Sequence, residues 1–206
     1  MNQVIRVKHL SKDFGDLRAV HQLSFSVGAG QVYGFLGQNG AGKSTTIRML
    51  LTLIRPTEGE IEIFGMDLRK HRKEILRQTG AIIEKPDLYK YLSAKENVRI
   101  FSRLSGVKPT DKQVMDQLAL VGLAERADSK VKTYSQGMKQ RLGLAVALIH
   151  DPQLIILDEP TNGLDPQGIA DVRNLILHLS KHQRKTILVS SHLLNEIEMM
   201  ADRMII

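Results

Sequence analysis

The eight residues Gly37-Gln38-Asn39-Gly40-Ala41-Gly42-Lys43-Ser44 fit the pattern G-x-x-x-x-G-K-[ST], and the apolar run Val32-Tyr33-Gly34-Phe35-Leu36 leads directly into them. A strand that delivers the chain to such a turn lets Gly40 and Gly42 take backbone angles closed to other residues. Successive N–H groups then point inward at phosphate oxygens. Ser44 is expected to open a helix, with Ile47, Leu50, Leu51 and Ile54 at i, i+3, i+4 and i+7, whose positive end faces the same anion. Lys43 supplies a full charge for the β- and γ-phosphates, and the Ser44 hydroxyl is placed to ligate Mg²⁺. A glycine turn capping an ordinary helix would leave the strand, the paired glycines and the Lys-Ser end without a role. The loop therefore predicts binding of a nucleoside triphosphate by Gly37 through Ser44, with Thr45 next in line.

Composition narrows the setting. A chain of 206 residues, 42% hydrophobic, can bury a sizeable core as one domain with elaborations. The absence of cysteine removes disulfides, zinc-thiolate sites and thiol nucleophiles, and fits a reducing compartment. Met1-Asn2-Gln3-Val4-Ile5-Arg6 has no stretch of signal-peptide type, and no apolar run approaches the ~20 residues that span a bilayer. The expectation is a soluble chain. A formal charge of +7 is compatible with nucleic acid, an anionic membrane face or a solvated basic surface. The densest patch, Arg69-Lys70-His71-Arg72-Lys73, lacks aromatic residues for base stacking, which favours the solvated surface.

Two kinds of strand are legible. Leu23, Phe25 and Val27 alternate with serines, and Ile61 and Ile63 with Glu60 and Glu62, the pattern of half-exposed antiparallel strands. Ala81-Ile82-Ile83, Leu154-Ile155-Ile156-Leu157 and Thr186-Ile187-Leu188-Val189 are continuous apolar runs, as in parallel strands buried on both faces. Between Glu84 and His150 the period becomes helical. Ser93-Ala94-Lys95-Glu96 and Thr110-Asp111-Lys112-Gln113 are capping boxes, followed at helix spacing by Val98, Phe101, Leu104 and by Val114, Leu118, Val121. Further helices are expected from about 167 to 181 and from 193 to 201. Asp202-Arg203-Met204-Ile205-Ile206 reads as a strand just beginning, so the chain is expected to be cut short, with more sheet following.

The run Leu154 to Leu157 ends in Asp158 and Glu159. A buried strand cannot carry two carboxylates inside it, but its carboxyl end, where ligands bind in open α/β sheets, can. Asp158 is the natural Mg²⁺ partner of Ser44, and Glu159 lies next to where a water can attack the γ-phosphate.

Around this pair stand Tyr134-Ser135-Gln136-Gly137-Met138-Lys139-Gln140 upstream, Pro160-Thr161-Asn162-Gly163-Leu164-Asp165-Pro166 downstream, and Ser190-Ser191-His192 after the next strand. In this order the motifs resemble the ATP-binding cassette family, the nucleotide-binding subunits of ABC transporters, over essentially the whole chain. The resemblance implies an α/β fold: a P-loop NTPase core with a parallel sheet flanked by helices, an N-terminal antiparallel β subdomain and a helical insertion. Residues 1–83 would form the β subdomain and the start of the core, 84–150 the helical subdomain and 151–206 the remainder. It implies that Ser135, Gln136 and Gly137 are the signature segment and Asp165 the D-loop aspartate. Both would serve the nucleotide of a second cassette packed head to tail, with ATP between the two. It makes His192 the switch histidine and Phe14 the aromatic that stacks on adenine. Ser135 and Gly137 also precede Leu142, Ala145 and Leu148 at helix spacing, so they offer a hydroxyl, amides and a positive helix end to phosphate.

Two segments depart from the usual family pattern. Tyr134 and Gln136 replace a leucine and a glycine around Ser135, and Glu84 stands where most members have the Q-loop glutamine. A carboxylate at 84 would contact Mg²⁺ or its water. Glu84 resembles the bacitracin and lantibiotic-immunity branch. The implied function is an ATPase, with Lys43, Glu159 and His192 in catalysis, that drives export of a peptide antibiotic of the bacitracin or lantibiotic type, or a related amphipathic compound, through separate membrane-spanning permease subunits. It would lie in the cytoplasm on the inner face of the cell membrane. The alternative is a soluble cassette acting on ribosomes or nucleic acid; such cassettes normally come as two in one chain, which makes nucleic acid the weaker partner.

Overall fold

Two hydrophobic patterns give two sheets. The computed structural model describes residues 3–206; Met1 and Asn2, at the start of the expected β subdomain, lie outside the described residues. In chain order the strands are β1 (Gln3–Phe14), β2 (Leu17–Gly28), β3 (Val32–Leu36), β4 (Glu58–Ile63), β5 (Met66–Asp67), β6 (Thr79–Ile82), β7 (Leu154–Asp158), β8 (Thr186–Ser191) and β9 (Arg203–Ile205). The helices are α1 (Lys43–Leu50), α2 (Arg72–Arg77), α3 (Ala94–Leu104), α4 (Asp111–Leu120), α5 (Gln136–Leu148), α6 (Pro166–Gln183) and α7 (Leu194–Glu198).

The alternating segments form the antiparallel sheet, in the order β2-β1-β4-β5, with Ile61 and Ile63 buried and Glu58 and Glu60 exposed. The continuous apolar runs form the parallel sheet, in the order β6-β7-β8-β3-β9. Strands β3, β7 and β8 are buried on both faces. Leu154, Ile156 and Leu188 pack with Ile5, Ile63, Ile47 and Leu50 on one side. Ile155, Leu157, Ile187 and Val189 pack with Val98, Leu118, Leu142 and Ile176 on the other. Period-two alternation therefore assigns neighbouring residues of one strand to two different cores. The expected last strand is β9, paired parallel to β3.

The middle helices follow their caps. Ser93 and Thr110 each close a full capping box, and Ser135 accepts a hydrogen bond from the Met138 N–H at the start of α5. Leu104 departs from the expected apolar face, ending α3 in solvent at 74% exposure. The basic patch folds partly as α2, and Arg69 through Lys73 are all exposed, as a solvated surface should be.

Two helices are shorter than their spacing suggests. Lys43, not Ser44, opens α1, and the helix stops at Leu50 because Thr52 takes φ 60°. The Leu53 N–H then returns to the Arg48 carbonyl and the Thr52 N–H to the Met49 carbonyl. That is a Schellman closure, and it takes Ile54 off the helix. The stretch expected from 193 to 201 is helical only over Leu194–Glu198. Asp202 ends it: its N–H donates to the Val32 carbonyl and its carboxylate accepts from the Val32 N–H, which draws the chain into β9.

Candidate active site

Sheet register explains how distant residues meet. Asp158 pairs with Ser190 across β7 and β8, and Leu36 pairs with Ser191 across β3 and β8. Three neighbouring strands thus finish side by side at their carboxyl ends. The next residues in the chain are Glu159, His192 and Gly37, so all three loops open onto one place.

The Gly37–Ser44 loop has the conformation its glycines predict. Gly40 and Gly42 sit at φ 85° and 89°, and a Cβ on Gly42 would meet the Ala19 carbonyl oxygen at 2.5 Å. Lys43 is buried, its ammonium donating to the Gly37 and Gln38 carbonyls at 2.6 and 3.2 Å and lying 3.5 Å from Glu159 Oε1. The other oxygen of Glu159 meets His192 Nδ1 at 2.9 Å. A carboxylate can only accept, so Nδ1 carries the hydrogen and Nε2 is left free to face a ligand. Glu159 itself holds φ 49°, a strained angle for a non-glycine residue, and such strain clusters at functional sites.

Ser190 ties the Asp158 carboxylate to the Glu159 backbone. The Glu159 N–H donates to Ser190 Oγ at 2.9 Å, so the single hydroxyl proton goes to Asp158 Oδ1 at 2.6 Å. Ser190 is wholly buried and Asp158 nearly so. Asp158 Oδ2 is buried with no hydrogen-bond partner. An orphaned carboxylate oxygen at a strand end beside a phosphate-type loop suits a divalent cation or its water, so the oxygen donors here, Asp158 and the Ser44 hydroxyl, fit Mg²⁺. Among the described residues no group of three or more His, Asp or Glu side chains converges on a metal position.

The other expected residues lie further out. Phe14, at the end of β1, is 49% exposed with the Lys12 ammonium 4.9 Å from its ring centroid, which excludes a core role. Ser135 caps α5, Gln136 is exposed and Gly137 follows it. Tyr134 is buried, and its hydroxyl donates to the Arg126 carbonyl, so the bulk that replaces a leucine goes into the core and leaves the Ser135 cap intact. Gln136 reaches the loop that follows Glu159, its amide donating to the Asn162 carbonyl at 3.4 Å. Asp165 caps α6 by accepting from the Gly168 N–H. Glu84, at φ 58° just beyond β6, forms an ion pair with Arg48, one turn along α1 from Ser44.

Sequence reasoning missed Ser190, Arg48 and a buried bond from the Thr161 hydroxyl to the Glu196 carboxylate. Ser190 had a signal: it is a polar residue closing an apolar strand destined to lie beside Asp158. The partners of Arg48 and Glu196 are distant in sequence and left none.

Residues 20–162 match the family model described as ABC transporter. The chain is 50% identical over 203 residues to the bacitracin transport ATP-binding protein BcrA of Bacillus licheniformis, covering 98% of this chain and 66% of that protein. It is 41% identical over 199 residues to the lantibiotic transport ATP-binding protein SrtF of Streptococcus pyogenes, covering 97% and 84%. The chain thus spans about two thirds of the length of several curated relatives it matches. Among solved structures, cbiO1 of Clostridium perfringens, part of the transporter complex cbiONQ, superposes with a TM-score of 0.88 at 26% identity, covering 100% of this chain and 88% of that one. A dimeric ATP-binding cassette in a post-hydrolysis state, bound to ADP and Pi, gives 0.86 at 25% identity, with 98% and 93% covered.

Proposed function

The chain belongs to the ABC transporter family, and from that premise we propose that it is the ATP-binding and hydrolysing subunit of an exporter for peptide antibiotics of the bacitracin or lantibiotic type. The observation that carries this reading is the meeting of Lys43, Glu159 and His192 at three adjacent strand ends, in a chain 41–50% identical to proteins named for bacitracin and lantibiotic transport.

In this reading the loop amides and Lys43 hold the phosphates, and Phe14 stacks on adenine. Glu159 accepts a proton from the attacking water, while His192 keeps that carboxylate oriented and, when both ring nitrogens carry hydrogen, donates from Nε2 to the γ-phosphate. Bound Mg²⁺, held by Ser44 and through water by Asp158, would supply charge neutralisation at the β- and γ-oxygens. Glu84, paired with Arg48 here, would be the carboxylate available to the water of a bound Mg²⁺ or to a basic group on the permease. Ser135, Gln136, Gly137 and Asp165 act on the nucleotide of a paired cassette. The subunit would work at the inner face of the cell membrane. Among the described residues no helix is long and apolar enough to cross a membrane, and in this reading separate permease subunits form the path. The charge of +7 is the feature that speaks for a ribosomal or nucleic-acid role, and the named relatives are transport proteins, so that alternative is not favoured.

The test is to express the chain with its permease subunits in a sensitive host and to measure protection against bacitracin and a lantibiotic. The Glu159→Gln variant is the inactive control. Protection lost with Glu159→Gln supports the reading. Equal sensitivity of both strains to both peptides, with ATP turnover intact in the purified wild-type chain, removes the cargo; no ATP binding removes the ATPase.

A further inference from the structure

Glu196 is a carboxylate that the reaction above does not use. It lies on α7, four residues after His192, and is 8% exposed. Its hydrogen-bond partner is the Thr161 hydroxyl, itself 4% exposed, and among the described residues no Lys, Arg or His stands within ion-pair distance of it. Withdrawing a carboxylate from water against a single neutral donor is unfavourable, and an aliphatic side chain of similar size would fill the position without that cost. Stability alone does not account for the residue.

Its place in the fold does. Thr161 belongs to the loop that begins at Glu159, and Glu196 to the segment that begins at His192. The two segments are tied twice, by Glu159 to His192 and by Thr161 to Glu196. The first tie is partly solvent-accessible, with the His192 side chain 33% exposed, while the second is buried. Water competes for the outer bond and not for the inner one, so the inner bond sets the spacing at which the outer bond can form.

We propose that Glu196 is a positioning residue for hydrolysis. Acting through Thr161, it holds the loop of Glu159 against the loop of His192, so that the two face the γ-phosphate as one unit. This rests on the ATPase reading above. A purified wild-type chain that fails to hydrolyse ATP overturns that reading and the proposal with it.

The test compares Thr161→Val, Glu196→Gln, Glu196→Leu and the Thr161→Val/Glu196→Leu double variant for ATP affinity, KM, kcat, melting temperature and the Nδ1 NMR resonance of His192. Replacing both partners by apolar groups relieves the unpaired polar atom, so the double variant should melt near the wild-type temperature. It should also keep wild-type ATP affinity and KM, while kcat falls by roughly tenfold to a hundredfold, about what misplacement of a reacting group costs. Each apolar single variant should cost as much in kcat as the double, and the His192 resonance should shift in all three. Glu196→Gln, which keeps an acceptor oxygen for Thr161, should retain kcat within about threefold. The proposal is overturned by a double variant with wild-type kcat, or by a Glu196→Gln protein that folds yet loses as much as Glu196→Leu. Should the leucine variants not fold, Thr161→Val and Glu196→Gln, which barely change volume, decide alone.

Discussion

Glu159 and His192 are joined by a 2.9 Å bond from the imidazole Nδ1 to one carboxylate oxygen, and the other oxygen of Glu159 faces the Lys43 ammonium at 3.5 Å. One side chain thereby connects the Gly37–Ser44 loop with the segment that begins at His192. Glu159→Gln keeps the size of the side chain and one of its two acceptor positions, and removes the carboxylate proposed to accept a proton from water. The expected result is ATP binding without turnover and an ATP-dependent dimer in size-exclusion chromatography. A variant that remains monomeric in saturating ATP and hydrolyses it at the wild-type rate contradicts both roles.

Lys43→Ala removes the buried charge between the loop carbonyls and Glu159. Charge-assisted contacts of this type contribute about 1.5–3 kcal/mol, so ATP affinity should fall by roughly tenfold to a hundredfold and turnover should cease. Nucleotide titration checks the first and phosphate release the second, with circular dichroism confirming the fold.

Ser190→Ala leaves the Glu159 N–H and Asp158 Oδ1 without their shared partner. The buried loss should cost roughly 1–3 kcal/mol of stability. Affinity for ATP in EDTA should be unchanged, while the Mg²⁺ concentration that half-saturates turnover rises. A Mg²⁺ titration identical to wild type would show that Ser190 does not orient Asp158.

The Glu84–Arg48 pair is surface-exposed, and pairs of this kind contribute about 0–1 kcal/mol. Glu84→Gln should therefore leave the melting temperature and the ATP affinity of the isolated subunit nearly unchanged, yet reduce protection in cells carrying the whole transporter. Glu84→Ala should reduce it further. Unchanged protection in both variants at matched expression would mean that Glu84 has no coupling role.

His150 gives a pH prediction. Burial lowers its pKa from the ordinary 6.5, against the opposing Thr79 carbonyl and Asp151, with Lys185 adding to the lowering. The unfolded ring binds a proton where the folded ring does not, so this contribution is full above 6.5 and is lost as pH falls through the lower folded value. Melting temperature measured from about pH 7.5 to about pH 5.5 should fall more steeply for wild type than for His150→Gln.

The sequence exposed what rests on local rules. Glycine spacing announced the Gly37–Ser44 loop, capping boxes announced α3 and α4, and continuous apolar runs announced the core strands. It was silent where the decision lay with a distant partner. The end of α7 depends on Asp202 finding both backbone groups of Val32, and the end of α1 on Thr52 adopting an angle that glycine usually supplies. In the site, Asp158, Glu159 and His192 were legible from motif order. Thr161 and Glu196 were not, because their bond exists only once the fold sets the loop after β7 against α7, and Ser190 left no signal beyond its place at the polar end of β8.

The double burial of β7 and β8 has a cost in fidelity. Where one face of a sheet is solvated, a one-residue slip exposes apolar side chains and is penalised at once. Leu154 to Leu157 and Ile187 to Val189 are apolar on both faces, so a slip between these strands would exchange one oily surface for another. It would still move His192 about 3.3 Å along β8 relative to Glu159. The hydroxyl of Ser190 bonds Asp158 and the Glu159 N–H in the observed alignment, so a slip that brings Val189 opposite Asp158 loses both bonds, and the polar end of the sheet is the part that registers the error.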